Sequence, residues 1–232
     1  MSRLYVETTI RCDAEELWQL TQQPRQHQRW DLRFTEIDYL ARPDPAEPQR
    51  FRYAVRVLPG VVIAGTGVTA GERTRADGAR TSALRFDSGH PLSLIRSGAG
   101  YWRYVPTPDG VRFITGYDYE PGWGRLGRLA DRLFRPLMGW GTAWSFDRLR
   151  LWLEHGTPPE RSLRHGLMDA GLRIFLCVGV WWLLPPYLAA AIVAAALLIP
   201  PLPSSPAARR CQRRPPDRQS ASVPAIASTL EP

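Results

Sequence analysis

AGYWRYVPTPDGVRFITGYDYEPGWGRLGRLADRLFRPLMGWGTAWSFDRLRLWLE, residues 99–154, contains the two patterns that decide the fold. Ala99–Val105 and Val111–Tyr119 flank Pro108-Asp109-Gly110, a turn that joins neighbouring antiparallel strands. From about Gly124 to Glu154 the period changes. Leu126, Leu129, Leu133, Leu137, Gly141 and Trp144 recur every three or four residues, as on one face of a helix. Pro136 predicts a kink or the first turn of a second helix. His155-Gly156 and Pro158-Pro159 end the run.

Working back toward the N-terminus, strand patterns accumulate. Leu4, Val6, Thr8 and Ile10 alternate with Tyr5, Glu7, Thr9 and Arg11, as in a half-buried strand. Asp13 and Glu16 form a capping-box pattern before Leu17, Trp18 and Leu20, which predicts a short helix ending before Pro24. A second helical turn is expected over Arg25–Arg29. Phe34–Leu40 reads as a strand, and Pro43, Pro45 and Pro48 as a loop. Phe51, Tyr53, Val55 and Val57 alternate cleanly with Arg50, Arg52, Ala54 and Arg56. After the Pro59-Gly60 turn come the glycine-rich strand Val61–Thr74, an Asp77-Gly78 hairpin and the strand Arg80–Asp87. Consecutive hairpins imply an antiparallel sheet, and such a sheet needs cover for its apolar face. The expected fold is α+β: a curved antiparallel sheet of about six or seven strands around a long C-terminal helix, followed by a hydrophobic helical segment.

The formal charge of +8 does not argue for nucleic-acid binding. Every basic side chain is Arg, and Lys and Asn are both absent, which fits GC-rich coding. Acidic residues are interleaved along the front domain, so no phosphate-tracking run forms there. Cys12, Cys177 and Cys211 show no metal or disulfide spacing. His27, His90, His155 and His165 are scattered without ligand spacing, and no cofactor or metal is expected. Ser145 lacks the nucleophile-elbow context. Gly122–Gly127 matches G-x-G-x-x-G, but no second parallel strand follows the helix, so a tight strand-to-helix turn is the better reading. Gly65, Gly67 and Gly71 within a strand predict bulges or bends.

From Ile174 to Leu202 no side chain ionises readily, apart from the weakly acidic Cys177 and Tyr187. About 20 apolar residues suffice to cross a bilayer as a helix. Pro185-Pro186 divides the run, and Gly166–Leu184 and Pro185–Pro203, 19 residues each, could each just span. Arg161, Arg164 and Arg173 precede it, and Arg209, Arg210, Arg213, Arg214 and Arg218 follow it. Positive charge on both sides predicts a helical hairpin with both ends cytoplasmic. A single tilted span and a monotopic or soluble arrangement are the alternatives. No signal-peptide pattern precedes the first strand, so the front domain is expected in the cytoplasm. The tail from Ser204 is rich in Pro, Arg and Ser and is expected to be disordered.

The order strand, "DAEELWQL" (Asp13–Leu20), "RWD" (Arg29–Asp31), "FTEIDYL" (Phe34–Leu40), sheet and closing helix "TAWSFDRLRLWLE" (Thr142–Glu154) resembles the START/Bet v 1-like (SRPBCC, polyketide cyclase/dehydrase-like) superfamily over roughly residues 1–155. The resemblance implies a helix-grip fold, shared by lipid carriers, polyketide aromatase/cyclases, hormone receptors and quinone-binding proteins. The organisation is then a helix-grip domain (1–158), a membrane segment (159–203) and a tail (204–232).

Strand alternation gives candidate ligand-binding residues. Phe51, Tyr53, Leu84, Phe86, Trp102, Tyr104, Phe113, Thr115 and Tyr117 share one face, with Trp140 and Trp144 expected from the helix. Aromatic rings with polar tips suit a mostly apolar ligand, although any of them is as readily a core residue. The expected function is a membrane-tethered module for a hydrophobic molecule: a lipid, isoprenoid or polyketide-like compound. A cyclase-type enzyme and a structural or regulatory domain are the alternatives. No acid–base pair stands out, and no catalytic residue is assigned. Expected partners are the hydrophobic ligand and membrane lipids, with no nucleic acid. The oligomeric state is not readable.

Overall fold

A computed structural model describes residues 4–42, 44 and 47–217. The strands are β1 (Leu4–Ile10), β2 (Glu36–Tyr39), β3 (Gln49–Leu58), β4 (Val61–Thr74), β5 (Arg80–Asp87), β6 (Ile95–Thr107) and β7 (Gly110–Pro121). They form one antiparallel sheet in the order β1-β7-β6-β5-β4-β3-β2. The helices are α1 (Ala14–Gln22), α2 (Pro24–Trp30), α3 (Gly124–His155), α4 (Pro159–Leu183) and α5 (Pro186–Leu198). This α+β arrangement, a seven-stranded sheet with a long helix across it, is the helix-grip architecture. Pro43 and Pro45 lie outside the described residues.

Local chemistry sets the boundaries. The Asp13 carboxylate accepts from the Glu15 and Glu16 N–H groups and so caps α1. Gly156, at φ +60°, ends α3. The helix is continuous through Pro136, so no second helix opens there. At the start of α3 a Cβ on Gly127 would fall 1.6 Å from the Gly122 carbonyl oxygen, so the turn requires glycine there. The strand glycines act in two ways. Gly71 falls where β4 shifts register against β5, as expected of a bulge. Gly65 and Gly67 instead lie directly under the Tyr53 and Phe51 rings.

The main core lies between β1, β6 and β7, helices α1 and α2, and the second half of α3. Buried Arg148 links the helices. It donates to the carbonyls of Trp30 at 3.0 Å, Arg29 at 2.9 Å and Pro159 at 2.9 Å. Burial lowers its pKa to about 10, so it stays charged at neutral pH.

The tail corrects the sequence reading. Residues 204–217 are ordered, and Ser205, Ala207, Ala208 and Cys211 are buried. The cause is Asp147, a fully buried carboxylate on α3. It accepts from the Ala207 N–H at 2.7 Å and from Arg210 at 2.8 Å, in addition to its neighbour Arg150. A buried charge needs such partners. Gln212 also pairs with Glu7 through two backbone hydrogen bonds and covers the free edge of β1. The folded domain therefore uses residues beyond 158. Residues 218–232 of the expected tail, with Arg218, lie outside the described residues.

Between these two parts the chain leaves the domain at Pro159 and returns at Ser204. The apolar helices α4 and α5 fold back on each other across Leu184-Pro185. α4 is long and apolar enough to cross a membrane. α5 spans roughly 20 Å, shorter than a bilayer core of about 30 Å.

Candidate ligand-binding site

Sheet register places the sequence-predicted rings on one inner face. Phe51 and Tyr53 pair across β3–β4 with Gly67 and Gly65, Phe86 pairs with Gly98, and Tyr117 with Gly100. Each ring lies over its glycine: a Cβ on Gly65, Gly67, Gly98 or Gly100 would come within 2.3–2.6 Å of the facing ring. The glycines thus let four rings lie flat and pave the sheet. Phe86 and Tyr53 remain half-buried, with Leu84 beside them and Phe34 edge-on to Tyr53 at 5.7 Å. Burial pushes the Tyr53 phenol up to about 12, so it stays neutral.

Trp102, Tyr104 and Phe113 occupy the other end of the same face, where protein already fills the space. Phe113 stacks on Phe146 of α3 at 4.5 Å and lies 5.0 Å from Tyr104. The Tyr104 hydroxyl is taken up by α1, 2.7 Å from Thr21 Oγ1 and accepting from Gln22 Nε2 at 2.9 Å. Trp102 is buried, yet its Nε1 has no hydrogen-bond partner among the described residues. An unmet buried donor costs on the order of 1–3 kcal/mol.

Trp140 and Trp144 do not face the sheet. They stack on each other at 6.1 Å, opposite the buried Asp131, Thr142 and Leu149 of α3. At about 100° per residue, the positions that put 131, 142 and 149 inward turn 140 and 144 outward. Trp144 covers Gly166 of α4.

The sequence reading missed a polar cluster beside the paved rings. The buried Asp31 carboxylate accepts from Arg33 Nε at 2.9 Å, from Arg33 Nη2 at 2.6 Å and from the Arg33 N–H at 3.0 Å. His27 Nε2 lies 3.0 Å from Asp31 Oδ2, the oxygen that also accepts from Arg33 Nη2. The Arg33 guanidinium sits 4.8 Å from the centre of the Tyr117 ring. Burial favours the neutral acid at Asp31, but Arg33 and His27 outweigh it and hold the carboxyl well below the usual carboxylate range. Burial among Trp30, Trp102 and Phe34 lowers the His27 pKa against the opposing pull of Asp31. Asp31 stood in the quoted "RWD"; the side chain that partners it, Arg33, lay outside that motif.

Two open grooves flank the first half of α3. One, of about 610 Å³, is lined by Arg96, Ser97, Gly98, Tyr119, Glu120 and Arg128, among others. The other, of about 870 Å³, is lined by Leu4, Tyr5, Asp131 and five arginines. None of the nine candidate rings lines either groove.

Residues 1–150 match the family model described as "Polyketide cyclase / dehydrase and lipid transport". The chain belongs to that family. An uncharacterized membrane protein of Bacillus subtilis (strain 168), YndG, is 46% identical over 177 residues, 75% of this chain. The chain spans only 64% of that relative's length. Solved structures agree on the fold alone. A protein of Thermus thermophilus matches with a TM-score of 0.51 at 16% identity, covering 67% of this chain and 99% of that one. A STAR-related lipid transfer protein fragment from Xanthomonas axonopodis matches with a TM-score of 0.50 at 20% identity, covering 65% and 85%. The di-domain aromatase/cyclase StfQ of the steffimycin pathway matches with a TM-score of 0.50 at 11% identity, covering 65% and 49%. Family membership, with its lipid-transport and cyclase description, supports a domain for hydrophobic ligands.

Proposed function

We propose that the domain binds a hydrophobic small molecule, a lipid, isoprenoid or polyketide-like compound, against the ring-paved inner face of the sheet, and that α4 and α5 tether it to the cytoplasmic face of the membrane. The observation that carries this reading is the paving itself. Phe51, Tyr53, Phe86 and Tyr117 lie flat over glycines, and the half-buried Phe86 and Tyr53 keep ring surface available to an apolar partner. Displacing water from such surface drives binding at roughly 25 cal/mol per Å². The Arg33–Asp31 pair beside Tyr117 supplies a polar anchor of the kind a mostly apolar site uses for orientation. No covalent step is involved. The membrane tether supports the reading, because apolar ligands partition into bilayers.

The test uses the full chain purified in mild detergent. Mass spectrometry of the extracted protein is expected to find a stoichiometric apolar compound, and an apolar fluorescent dye is expected to bind in competition with it. Phe86→Ala and Tyr53→Ala should weaken dye binding several-fold. A chain that carries no compound and binds no dye overturns the reading.

A further inference from the structure

The first half of α3 has one buried face and one uncovered face. Asp131 is turned toward the sheet, where it accepts from the Tyr119 hydroxyl at 2.6 Å. Leu126, Leu129, Leu133 and Leu137 line the other side and are 72%, 61%, 75% and 64% exposed. In the second half of the helix the outward residues Asp147 and Leu151 are buried, Asp147 beneath the returning tail. The leucine stripe begins where that cover stops, beyond the contact of Trp144 with Gly166. A row of four exposed leucines marks an interaction surface.

Charge indicates what covers it. Exposed Arg125, Arg128 and Arg132 lie along the same half-helix. The 870 Å³ groove beside it gathers Arg128, Arg132, Arg135, Arg213 and Arg214 around one acid, Asp131. Leucines on one flank and arginines on the next are the chemistry of a helix lying in the plane of an anionic bilayer.

The helical hairpin sets the depth. Arg173 of α4 donates to the Ile199 carbonyl at 3.0 Å and the Pro200 carbonyl at 3.1 Å, and pairs with Asp169. Arg209 donates to the Ile199 carbonyl and Arg210 to the Leu202 carbonyl, each at 3.0 Å. Three arginines thus close the neck of the hairpin, at the polar edge of the apolar segment. From Arg173 to Leu183 the helix rises roughly 15 Å, half of a bilayer core of about 30 Å. The exposed Trp181, Trp182 and Leu183 at the tip therefore reach about one leaflet deep before the chain returns.

We propose that the chain is monotopic: the α4–α5 tip enters one leaflet, the α3 leucine stripe lies in the head-group plane, and the arginine groove beside it holds the phosphates of anionic lipids. This rests on the membrane tether proposed above. The test places the photo-crosslinker p-benzoylphenylalanine at Leu133 or at Leu183 in the full chain, in vesicles of phosphatidylcholine with or without phosphatidylglycerol. Lipid adducts are expected at both positions. The Leu133 adduct should fall several-fold without phosphatidylglycerol or with Arg128→Gln/Arg132→Gln. A lipid adduct at Leu183 with none at Leu133, or a Leu133 crosslink to residues 218–232 or to a second protein, overturns the proposal and leaves the tether standing. No lipid adduct at Leu183 overturns the tether itself. An adduct at Leu133 that is indifferent to lipid charge overturns the phosphate groove. Trp182→Cys should resist a membrane-impermeant maleimide added on the side opposite the domain; labelling there overturns the shallow insertion.

Discussion

Phe113 and Phe86 project from the same face of the same sheet, but their surroundings differ. Phe113 is fully buried, stacked on Phe146 and flanked by Tyr104 and Trp102. Phe86 lies over Gly98 beside Tyr117 and stays half-buried. The difference comes from what reaches over the sheet. Helices α1 and α2 and the second half of α3 press on β1, β6 and β7 at the Phe113 end. The first half of α3 meets the sheet near Tyr119 and, through Met138 and Gly139, near Leu4 of β1, while its leucine stripe faces outward. One continuous sheet face thus serves as a packed core at one end and as an available apolar surface at the other.

Four measurements on the full chain in detergent would sharpen or break that comparison. The largest effect is expected from Phe113→Ala, which removes a ring enclosed on all sides. Denaturant unfolding should show a loss of about 3–5 kcal/mol. A loss no greater than that of Phe86→Ala would mean that the Phe113 end is open too.

Gly100→Ala is expected to cost about 1–3 kcal/mol, because the new methyl would sit 2.4 Å from a Tyr117 ring atom and force that ring off the sheet. Dye binding should weaken in parallel. A variant with wild-type stability and binding would show that the ring does not depend on its glycine.

pH should act through His27 at the boundary of the two regions. Its folded pKa is lowered by burial, so the unfolded chain binds the proton first as pH falls. Stability is then fully present above the unfolded pKa of about 6.5 and declines below it, by at most about 1.4 kcal/mol per pH unit. The decline continues until pH reaches the folded pKa. His27→Gln should flatten that part of the profile, and an unchanged slope would remove His27 from the account. Asp31 has the opposite cause and the same sign: its depressed carboxyl adds a loss only in more acidic solution, below its unfolded pKa of about 3.9.

The smallest stability effect is expected from Phe86→Ala, about 1 kcal/mol, since only part of the ring is buried. Its effect on dye affinity should exceed that of any other substitution of the paving rings. A core-sized loss of stability with unchanged dye binding would place Phe86 in the packed region and end the distinction.

Alternation alone assigned Phe51, Tyr53, Phe86, Trp102, Tyr104, Phe113 and Tyr117 to one face, because a strand's side-chain period of two leaves no other choice once the hairpins fix the pairing. The same local rules identified the capped α1, the glycine turn into α3 and the apolar run after Pro159. Which of those rings are enclosed, and which lie open over a glycine, was not legible, because it depends on where α1, α2 and α3 come to rest. The stripe Leu126–Leu137 read as cover for the sheet, since periodicity gives a helix an apolar face but not the direction that face points. Trp140 and Trp144 were misplaced for the same reason. The tail from Ser204 has the composition of a disordered segment, and its order over 204–217 rests on distant partners, the buried Asp147, sixty residues from Ala207 in sequence, and the Glu7 backbone of β1. The pairing of Asp31 with Arg33, and the capping of α5 by Arg173, likewise depend on three-dimensional approach. The sequence determined the elements, their faces and the family. The tertiary structure decided which apolar faces the protein covers itself and which it leaves open, because burial depends on what lies across from a residue as well as on the residue's own pattern.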